Sequence, residues 1–255
     1  MTAGSQLVDL IGSVRDGATI GIGGAGLQRK PMSLVRALVA SRARNLRIVS
    51  YLGSVDVEYL IASGVVSEVH SAGVSLDGFG LAPAFRTARQ SGAVRFIEWS
   101  EGSLGAALDA AALGLPSMPA VTDPTSDVVV ENPHLTIADD PFTGTAVVFA
   151  RALHLDVALV HLTAVDEHGN GYVDGDTGAD GLLVRAASRT VATADGSVDA
   201  DPASAAIPRI WLTDVVLDDT GAWPTGSHPR RLVDVGTFGE WAASPGTDPG
   251  LLERS

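Results

Sequence analysis

The chain contains a glycine-rich segment at residues 21–26 (GIGGAG), which residues 27–32 (LQRKPM) continue. This segment is the most informative feature of the sequence. The run at residues 17–20 precedes it and predicts a strand, and residues 33–40 (SLVRALVA) follow with the apolar spacing of an amphipathic helix. A glycine loop between a strand and a helix lets the backbone approach an anionic or phosphorylated ligand closely. The same glycines also suit a tight strand-to-helix turn that binds nothing.

The glycine spacing matches the dinucleotide fingerprint Gly-x-Gly-x-x-Gly. That fingerprint also needs an acidic residue roughly 20 residues further on, where it binds the ribose. Residues 40–45 (ASRARN) offer none, and the next acids, Asp56 and Glu58, come only after another predicted strand. The missing acid disfavours a dehydrogenase that binds a dinucleotide.

Composition and charge exclude several further classes of function. The 255-residue chain has no cysteine, which removes disulfides and thiolate chemistry and fits a cytoplasmic protein. Its net charge of −13, without a cluster of basic residues, argues against nucleic-acid binding. No apolar run approaches the ~20 residues of a membrane span, and residues 1–6 lack the pattern of a signal peptide.

Apolar runs alternate with short helical patterns along most of the chain. This alternation predicts an α/β fold with an open, largely parallel sheet and helices on both faces. Residues 157–165 form a continuous apolar run, as expected for a strand that is covered on both sides. Residues 128–130 and 136–138 suggest short edge strands, and residues 147–152 suggest a helix.

The composition changes near the carboxyl terminus, where proline, glycine and arginine become frequent. We therefore expect one domain over residues 1–225 and an irregular tail over residues 226–255. A short helix around residues 235–243 is compatible with that tail.

Four segments occur in an order that resembles one enzyme family. They are the glycine loop, residues 73–80 (GVSLDGFG), residues 97–104 (IEWSEGSL) and residues 158–171 (ALVHLTAVDEHGNG). Together they resemble the α subunits of class I coenzyme A transferases over about residues 8–220. Within that family, the Arg-Lys-Pro-Met extension, the Val-Ser-Leu-Asp loop and the acidic Glu-Gly turn are most similar to actinobacterial hydrolases that open a steroid ring.

The resemblance implies a Rossmann-like fold, a coenzyme A thioester as substrate and no bound cofactor. It also implies a β subunit of the same family as partner, in a heterodimer or a dimer of heterodimers. A transferase would hold its nucleophilic glutamate in that partner, whereas a hydrolase opening a CoA-linked cyclic diketone would use Glu101 of this chain. A third hypothesis is a non-catalytic sensor with the same fold that binds sugar or acyl phosphates.

Glu101 is the predicted catalytic residue. It follows a strand predicted at residues 94–99 and begins the next helix, and ligands of open α/β sheets bind beyond the carboxyl ends of the strands. A carboxylate there can attack a thioester or activate water, but it can also serve only to stabilise the helix N-terminus. Glu98 is the alternative, and strand alternation places it on the opposite side.

Eight further residues are predicted to line the substrate site: Gly23, Gly24, Gly26, Arg29, Lys30, Asp77, Gly102 and Ser103. The first three are expected to form a cradle of backbone N–H groups, and the basic pair is expected to meet the phosphates of coenzyme A or an acyl carboxylate. The basic pair could equally lie at a subunit boundary. Asp77 could instead be a turn residue that only hydrogen-bonds to its own backbone.

The motif Asp166-x-x-Gly169-Asn170 predicts a tight turn in which the glycine and the asparagine adopt positive φ. His161, inside an apolar strand, is expected to be a hydrogen-bonded core histidine, and His168 is expected to be solvated. Neither histidine has metal-ligand spacing with an acidic residue, so no metal site is predicted.

Overall fold

The computed structural model describes residues 3–227 and 231–243. Twelve strands lie in this part of the chain: β1 (Thr19–Ala25), β2 (Leu46–Leu52), β3 (Val66–Ser71), β4 (Arg95–Glu98), β5 (Ser117–Pro119), β6 (Leu135–Asp139), β7 (Ala146–Arg151), β8 (Val157–Leu162), β9 (Ala164–Val165), β10 (Gly171–Tyr172), β11 (Thr190–Ala194) and β12 (Asp214–Leu217).

Eight α-helices accompany these strands within the same residues: α1 (Ala3–Ile11), α2 (Met32–Ala40), α3 (Val55–Ala62), α4 (Pro83–Ser91), α5 (Glu101–Ala112), α6 (Asp127–Glu131), α7 (Asp180–Ala186) and α8 (Val235–Ala243). Three single 3-10 turns lie at Asp77–Phe79, Pro202–Ser204 and Arg209–Trp211. No described helix combines the length and the apolar character that crossing a bilayer requires.

Seven strands form one sheet in which every neighbouring pair is parallel. Their order is β12-β11-β8-β1-β2-β3-β4, so β1 lies in the middle of the sheet, between β8 and β2. The carboxyl ends of parallel strands meet at one edge, where ligands of such sheets bind. The predicted open, parallel sheet is confirmed.

Helices cover both faces of this sheet, as predicted. Along β8, Leu159 lies in the core that contains residues of α1, α2, α3 and α8, whereas the next residue, Val160, lies in the core that contains residues of α5 and α7. Successive side chains of a strand point to opposite faces, so both faces of β8 are buried. This explains why its sequence is apolar throughout.

A second sheet, of order β5-β7-β6, is antiparallel, and β5 and β7 pack against α5. Two predictions in this region are wrong. Residues 147–152 were expected to be helical, but all except the last belong to β7, which is paired on both sides. Residues 128–130 form part of α6 rather than a strand, because Ser126 caps the start of this helix by accepting a hydrogen bond from the Val128 N–H. The strand predicted at residues 136–138 is confirmed within β6.

The described parts of the predicted tail, residues 226–255, pack against the rest of the molecule. Gly226 accepts a hydrogen bond of 2.7 Å from the backbone N–H of Arg29, next to the glycine loop. Further along, α8 confirms the short helix, and it buries Trp241 completely in the core shared with α2 and α3. Residues 244–255 lie outside the described residues.

Candidate active site

The carboxyl edge of the parallel sheet brings the glycine loop and the predicted catalytic residue to neighbouring positions. Residues 21–25 form the carboxyl end of β1. The next residue, Gly26, donates its N–H to the carbonyl oxygen of Leu52 at the end of β2. The preceding residue of β2, Tyr51, donates its phenolic O–H to the backbone oxygen of Glu101 at 3.0 Å. Two hydrogen bonds therefore connect the glycine loop, the end of β2 and the start of α5.

Glu101 is exposed and is the first residue of α5. Its position beyond the carboxyl end of β4 is the one that the sequence predicted. Glu98, the last residue of β4, instead points towards α4, where Arg89 pairs with its carboxylate at 3.1 Å. The two carboxylates thus have different neighbours, and Glu101 is the one beside Tyr51.

The start of α5 is held rigidly. Ser100 caps the helix by accepting from the Ser103 N–H at 3.1 Å, and the Ser103 hydroxyl accepts in return from the Ser100 N–H. A side chain on Gly102 would clash with the carbonyl oxygen of Val121, so only glycine fits there. Ser103 and Gly102 therefore have structural roles, and their contact with coenzyme A stays a prediction.

Two of the three N–H groups of the predicted cradle are used within the fold. The Gly24 N–H donates to Asp180 Oδ1 at 2.7 Å, and the Gly26 N–H donates to the carbonyl oxygen of Leu52 in β2. A side chain on Gly23 would lie 2.6 Å from the same Asp180 oxygen, and Gly24 has a positive φ of 71°. The absence of side chains on these glycines lets the loop pack closely against Asp180 and against its own backbone. A contact between coenzyme A and other atoms of the loop stays a prediction.

Arg29 lies inside the protein rather than on its surface. Only 3% of it is exposed, and its guanidinium pairs with Asp180 Oδ2 at 2.6 Å. The same group donates to the backbone oxygens of His161 and Asp176. Arg29 thereby connects the loop after β1 to β8 and to the start of α7. Its contact with a phosphate or an acyl carboxylate stays a prediction.

Lys30 is fully buried as well. Its Nζ lies 3.2 Å from Asp56 Oδ2 and donates to the Ser50 hydroxyl and to the carbonyl oxygen of Leu52. The ammonium group therefore has neutralising and hydrogen-bonding partners within the fold, as a buried charge requires. A direct contact with the substrate would need these bonds to break, and that role stays a prediction.

The two carboxylates that neutralise this basic pair were not predicted from the sequence. Asp180 is 151 positions from Arg29, and Asp56 is 26 positions from Lys30. Both aspartates are completely buried. An acid at the first helical position is an ordinary feature of helices, so the position of Asp180 gave no sign of a partner in the glycine loop.

Asp77 lies at the same edge as the glycine loop, as predicted. It is exposed and adopts a positive φ of 50° within its 3-10 turn. A side chain on Gly26 would lie 2.7 Å from Asp77 Oδ2, so this carboxylate faces the loop directly. A contact between Asp77 and a substrate stays a prediction.

The comparisons with known proteins agree with this architecture. The family model described as coenzyme A transferase matches residues 6–218. The chain belongs to the coenzyme A transferase family. It is 34% identical, over 88% of its length and 78% of the relative, to the cholesterol ring-cleaving hydrolase IpdA subunit of Rhodococcus jostii strain RHA1.

Two solved structures extend the family likeness. A variant of the decarboxylase AibA/AibB superposes with a TM-score of 0.89 and 32% identity, covering 97% of this chain and 95% of that one. Glutaconate coenzyme A-transferase from Acidaminococcus fermentans superposes with a TM-score of 0.88, covering 99% and 86%. At 22% identity, the second likeness concerns the fold alone.

The turn at residues 166–170, which supports the family resemblance, is held together by its own hydrogen bonds. Gly169 adopts a positive φ of 84°, as predicted, but Asn170 does not and instead donates its side-chain amide to Asp166 at 2.8 Å.

His161 is a buried core histidine, as expected, with hydrogen-bond partners in Thr193 and Asp195. His168 is largely exposed, as expected.

No group of three or more histidine and acidic residues in the described part of the chain is arranged to hold a metal ion. The expectation that this family member uses no metal stays a prediction.

Acid is expected to weaken the turn around Asp166. Burial raises the pKa of its carboxyl group, but hydrogen bonds from Asn170, Tyr172 and the His168 N–H outweigh burial and lower the pKa from 3.8 to about 2. Because the folded-state pKa lies below the unfolded value, the stabilisation is complete above about pH 4 and is lost as the pH falls through about 2.

Urea unfolding of the parent and of Asp166→Asn, followed between pH 7 and pH 2, measures this contribution. We expect the parent to be more stable at pH 7 and the difference to shrink below pH 4. A difference in the free energy of unfolding that stays constant over this range would contradict the assignment.

Proposed function

We propose that this chain is the α subunit of a heteromeric enzyme that hydrolyses an acyl-CoA substrate, with Glu101 as general base. The observation that carries the proposal is an exposed carboxylate at the carboxyl edge of a parallel sheet, beside Tyr51 and the glycine loop. A general base must reach both water and the reacting carbonyl, and this position allows it. The Rhodococcus relative is a subunit of a cholesterol ring-cleaving hydrolase, which supports the same reaction class.

Hydrolytic ring opening of a CoA-linked cyclic diketone can be written for these groups. Glu101 takes a proton from water while the water oxygen bonds to a ring carbonyl carbon. The bond from that carbon to the carbon between the two carbonyls then breaks, and its electron pair is held as an enolate by the second carbonyl. Glu101 returns the proton to the carbon that lay between the two carbonyls. The attacked carbonyl carbon becomes a new carboxyl group, and one water is consumed.

We assign the acyl group to a cavity of about 560 Å³ that opens beside this edge. Val74, Phe85 and Phe96 supply apolar walls, and Arg86 supplies positive charge. Arg89 also lines the cavity, where it pairs with Glu98. The volume lies within the range of ordinary ligand pockets, roughly 300–1,000 Å³. The lining residue Ala72 donates its N–H to the carbonyl oxygen of Tyr51, so the cavity adjoins the strand end next to Glu101.

A transferase is the alternative, favoured by the description of the matching family model. In that case a glutamate of the partner subunit would attack the thioester, and Glu101 would only bind or orient the substrate. Both versions require a partner of the same family, in a heterodimer or a dimer of heterodimers. A cytoplasmic location stays a prediction from composition.

Reaction in water labelled with ¹⁸O separates these functions. The complex of this chain with its partner subunit is incubated with a CoA-linked cyclic 1,3-diketone, with and without acetate, and the products are weighed by mass spectrometry. We expect ring-opened product with one ¹⁸O in its new carboxyl group, formed without acetate. Acetyl-CoA formed only when acetate is present would favour the transferase, and binding without either reaction would favour the sensor.

A further inference from the structure

The proposed reaction places negative charge on a carbonyl oxygen, and that oxygen needs a hydrogen-bond donor. Four of the donor groups predicted from the sequence are used elsewhere in the fold. The N–H groups of Gly24 and Gly26 donate to Asp180 and Leu52. The side chains of Arg29 and Lys30 form buried ion pairs.

The serine hydroxyls at the start of α5 also form hydrogen bonds within the fold. Ser100 and Ser103 bond to each other in the helix cap, and Ser103 is completely buried. Turning either hydroxyl towards a ligand would break the cap that positions Glu101. The predicted residues therefore leave the developing charge without a side-chain donor.

Tyr51 supplies such a donor at the right place. Its ring packs against the core beneath α5 and α7, whereas its hydroxyl reaches the exposed backbone oxygen of Glu101 at 3.0 Å. A packed aromatic ring holds its hydroxyl in a fixed position, and rotation about the C–O bond lets the proton point to a new acceptor. Burial and the negative charge of Glu101 both raise the pKa of Tyr51, so the phenol keeps its proton.

We propose that Tyr51 is a second catalytic residue, whose O–H donates a hydrogen bond to the carbonyl oxygen that becomes negative when water adds. The inference rests on the proposed function. The proton stays on Tyr51 throughout, and the donated bond is stronger in the transition state than in the substrate because the acceptor gains charge. Water enters from the side of Glu101, and the carbonyl oxygen lies on the side of Tyr51.

Steady-state kinetics of Tyr51→Phe in the assembled complex test this role. We expect kcat to fall by roughly 10²–10³-fold with little change in KM, as for other lost oxyanion donors. Tyr172→Phe is the matched control, because its hydroxyl bonds to Asp166 in the turn after β8. This control is expected to keep the parent kcat. A parent-like kcat for Tyr51→Phe, together with a loss of activity in Glu101→Gln, would overturn the role of Tyr51 and leave the proposed function standing.

The double variant Tyr51→Phe/Glu101→Gln distinguishes a direct contact with the substrate from an effect that passes through Glu101. We expect the residual rate of Glu101→Gln to fall further when the hydroxyl is removed. An unchanged residual rate would show that Tyr51 only positions Glu101 and would overturn the proposal. A parent-like rate for Glu101→Gln would remove the proposed function and this inference with it.

Site-specific replacement of Tyr51 by 3,5-difluorotyrosine keeps the shape of the ring and covers the case in which Tyr51→Phe fails to assemble. Fluorination makes the phenol more acidic, so its donor proton is lost at a lower pH. We expect kcat of this variant to fall at a lower alkaline pH than in the parent. Superimposable pH profiles would overturn the proposal.

Discussion

Glu101→Gln is expected to lower kcat by roughly 10²–10⁴-fold, the range that a positioned general base contributes. The amide has nearly the shape of the carboxylate but cannot accept a proton from water. Because Glu101 is exposed and its backbone oxygen, rather than its side chain, holds Tyr51, the substitution is expected to leave the fold and KM nearly unchanged. Initial rates of the assembled complex measure the effect.

Asp127→Asn is the matched control for this substitution. Asp127 is the first residue of α6 and follows the N-cap Ser126, just as Glu101 is the first residue of α5 and follows the N-cap Ser100. If Glu101 served only the helix dipole, both variants would lose a similar ~0.3–1 kcal/mol of stability and neither would lose activity. Parent-like turnover by Glu101→Gln would therefore remove the catalytic assignment.

Asp180→Asn is expected to destabilise the chain by about 3–5 kcal/mol, the usual cost of removing one partner of a buried ion pair. The amide oxygen can still accept from the Gly24 N–H, but the guanidinium of Arg29 is left as an uncompensated charge that is 3% exposed. Of the two links from the glycine loop to α7, the ion pair with Arg29 is lost and the hydrogen bond from Gly24 remains. Urea unfolding of the chain, monitored by circular dichroism, gives the change in the free energy of unfolding.

Asp109→Asn provides the comparison for this prediction. Its carboxylate pairs with Arg185 at 2.8 Å, but both side chains are about one third exposed (34% and 35%). Such a pair contributes roughly 0.2–1 kcal/mol, because water screens it. Equal losses from Asp180→Asn and Asp109→Asn would contradict the view that the buried pair holds the glycine loop. The double variant Arg29→Met/Asp180→Leu should recover part of the loss, since it leaves no buried charge.

Local patterns were sufficient for much of the architecture. The strand before the glycines and the helix after them were predicted correctly because apolar spacing and turn chemistry act over a few residues, although β1 continues through the glycines to Ala25. The same holds for Glu101, whose place at the start of α5 follows from the polar turn after an apolar strand. The order of these segments also identified the family.

One error occurred where distant segments decide the outcome, and the other where a local cap competes with residue propensity. Residues 147–152 have apolar side chains that suit a helix or a strand, and pairing with β5 and β6 makes nearly all of them β7. The three valines at residues 128–130 favour a strand by propensity, but they form a helix after the cap at Ser126. In the first case the decisive contacts come from strands elsewhere in the sequence, and in the second a local capping signal outweighed propensity.

Periodicity, turn residues and motif order were enough to predict the parallel α/β fold, the family and the exposed carboxylate at the strand ends, because each can be read from the order of the residues alone. Folding set the roles of the polar residues. It turned Arg29 and Lys30 inward to Asp180 and Asp56, and it placed the hydroxyl of Tyr51 beside Glu101. The physical reason is that a buried charge needs a partner and a hydrogen bond needs a short distance, and folding brings such partners together from positions 26 to 151 residues apart.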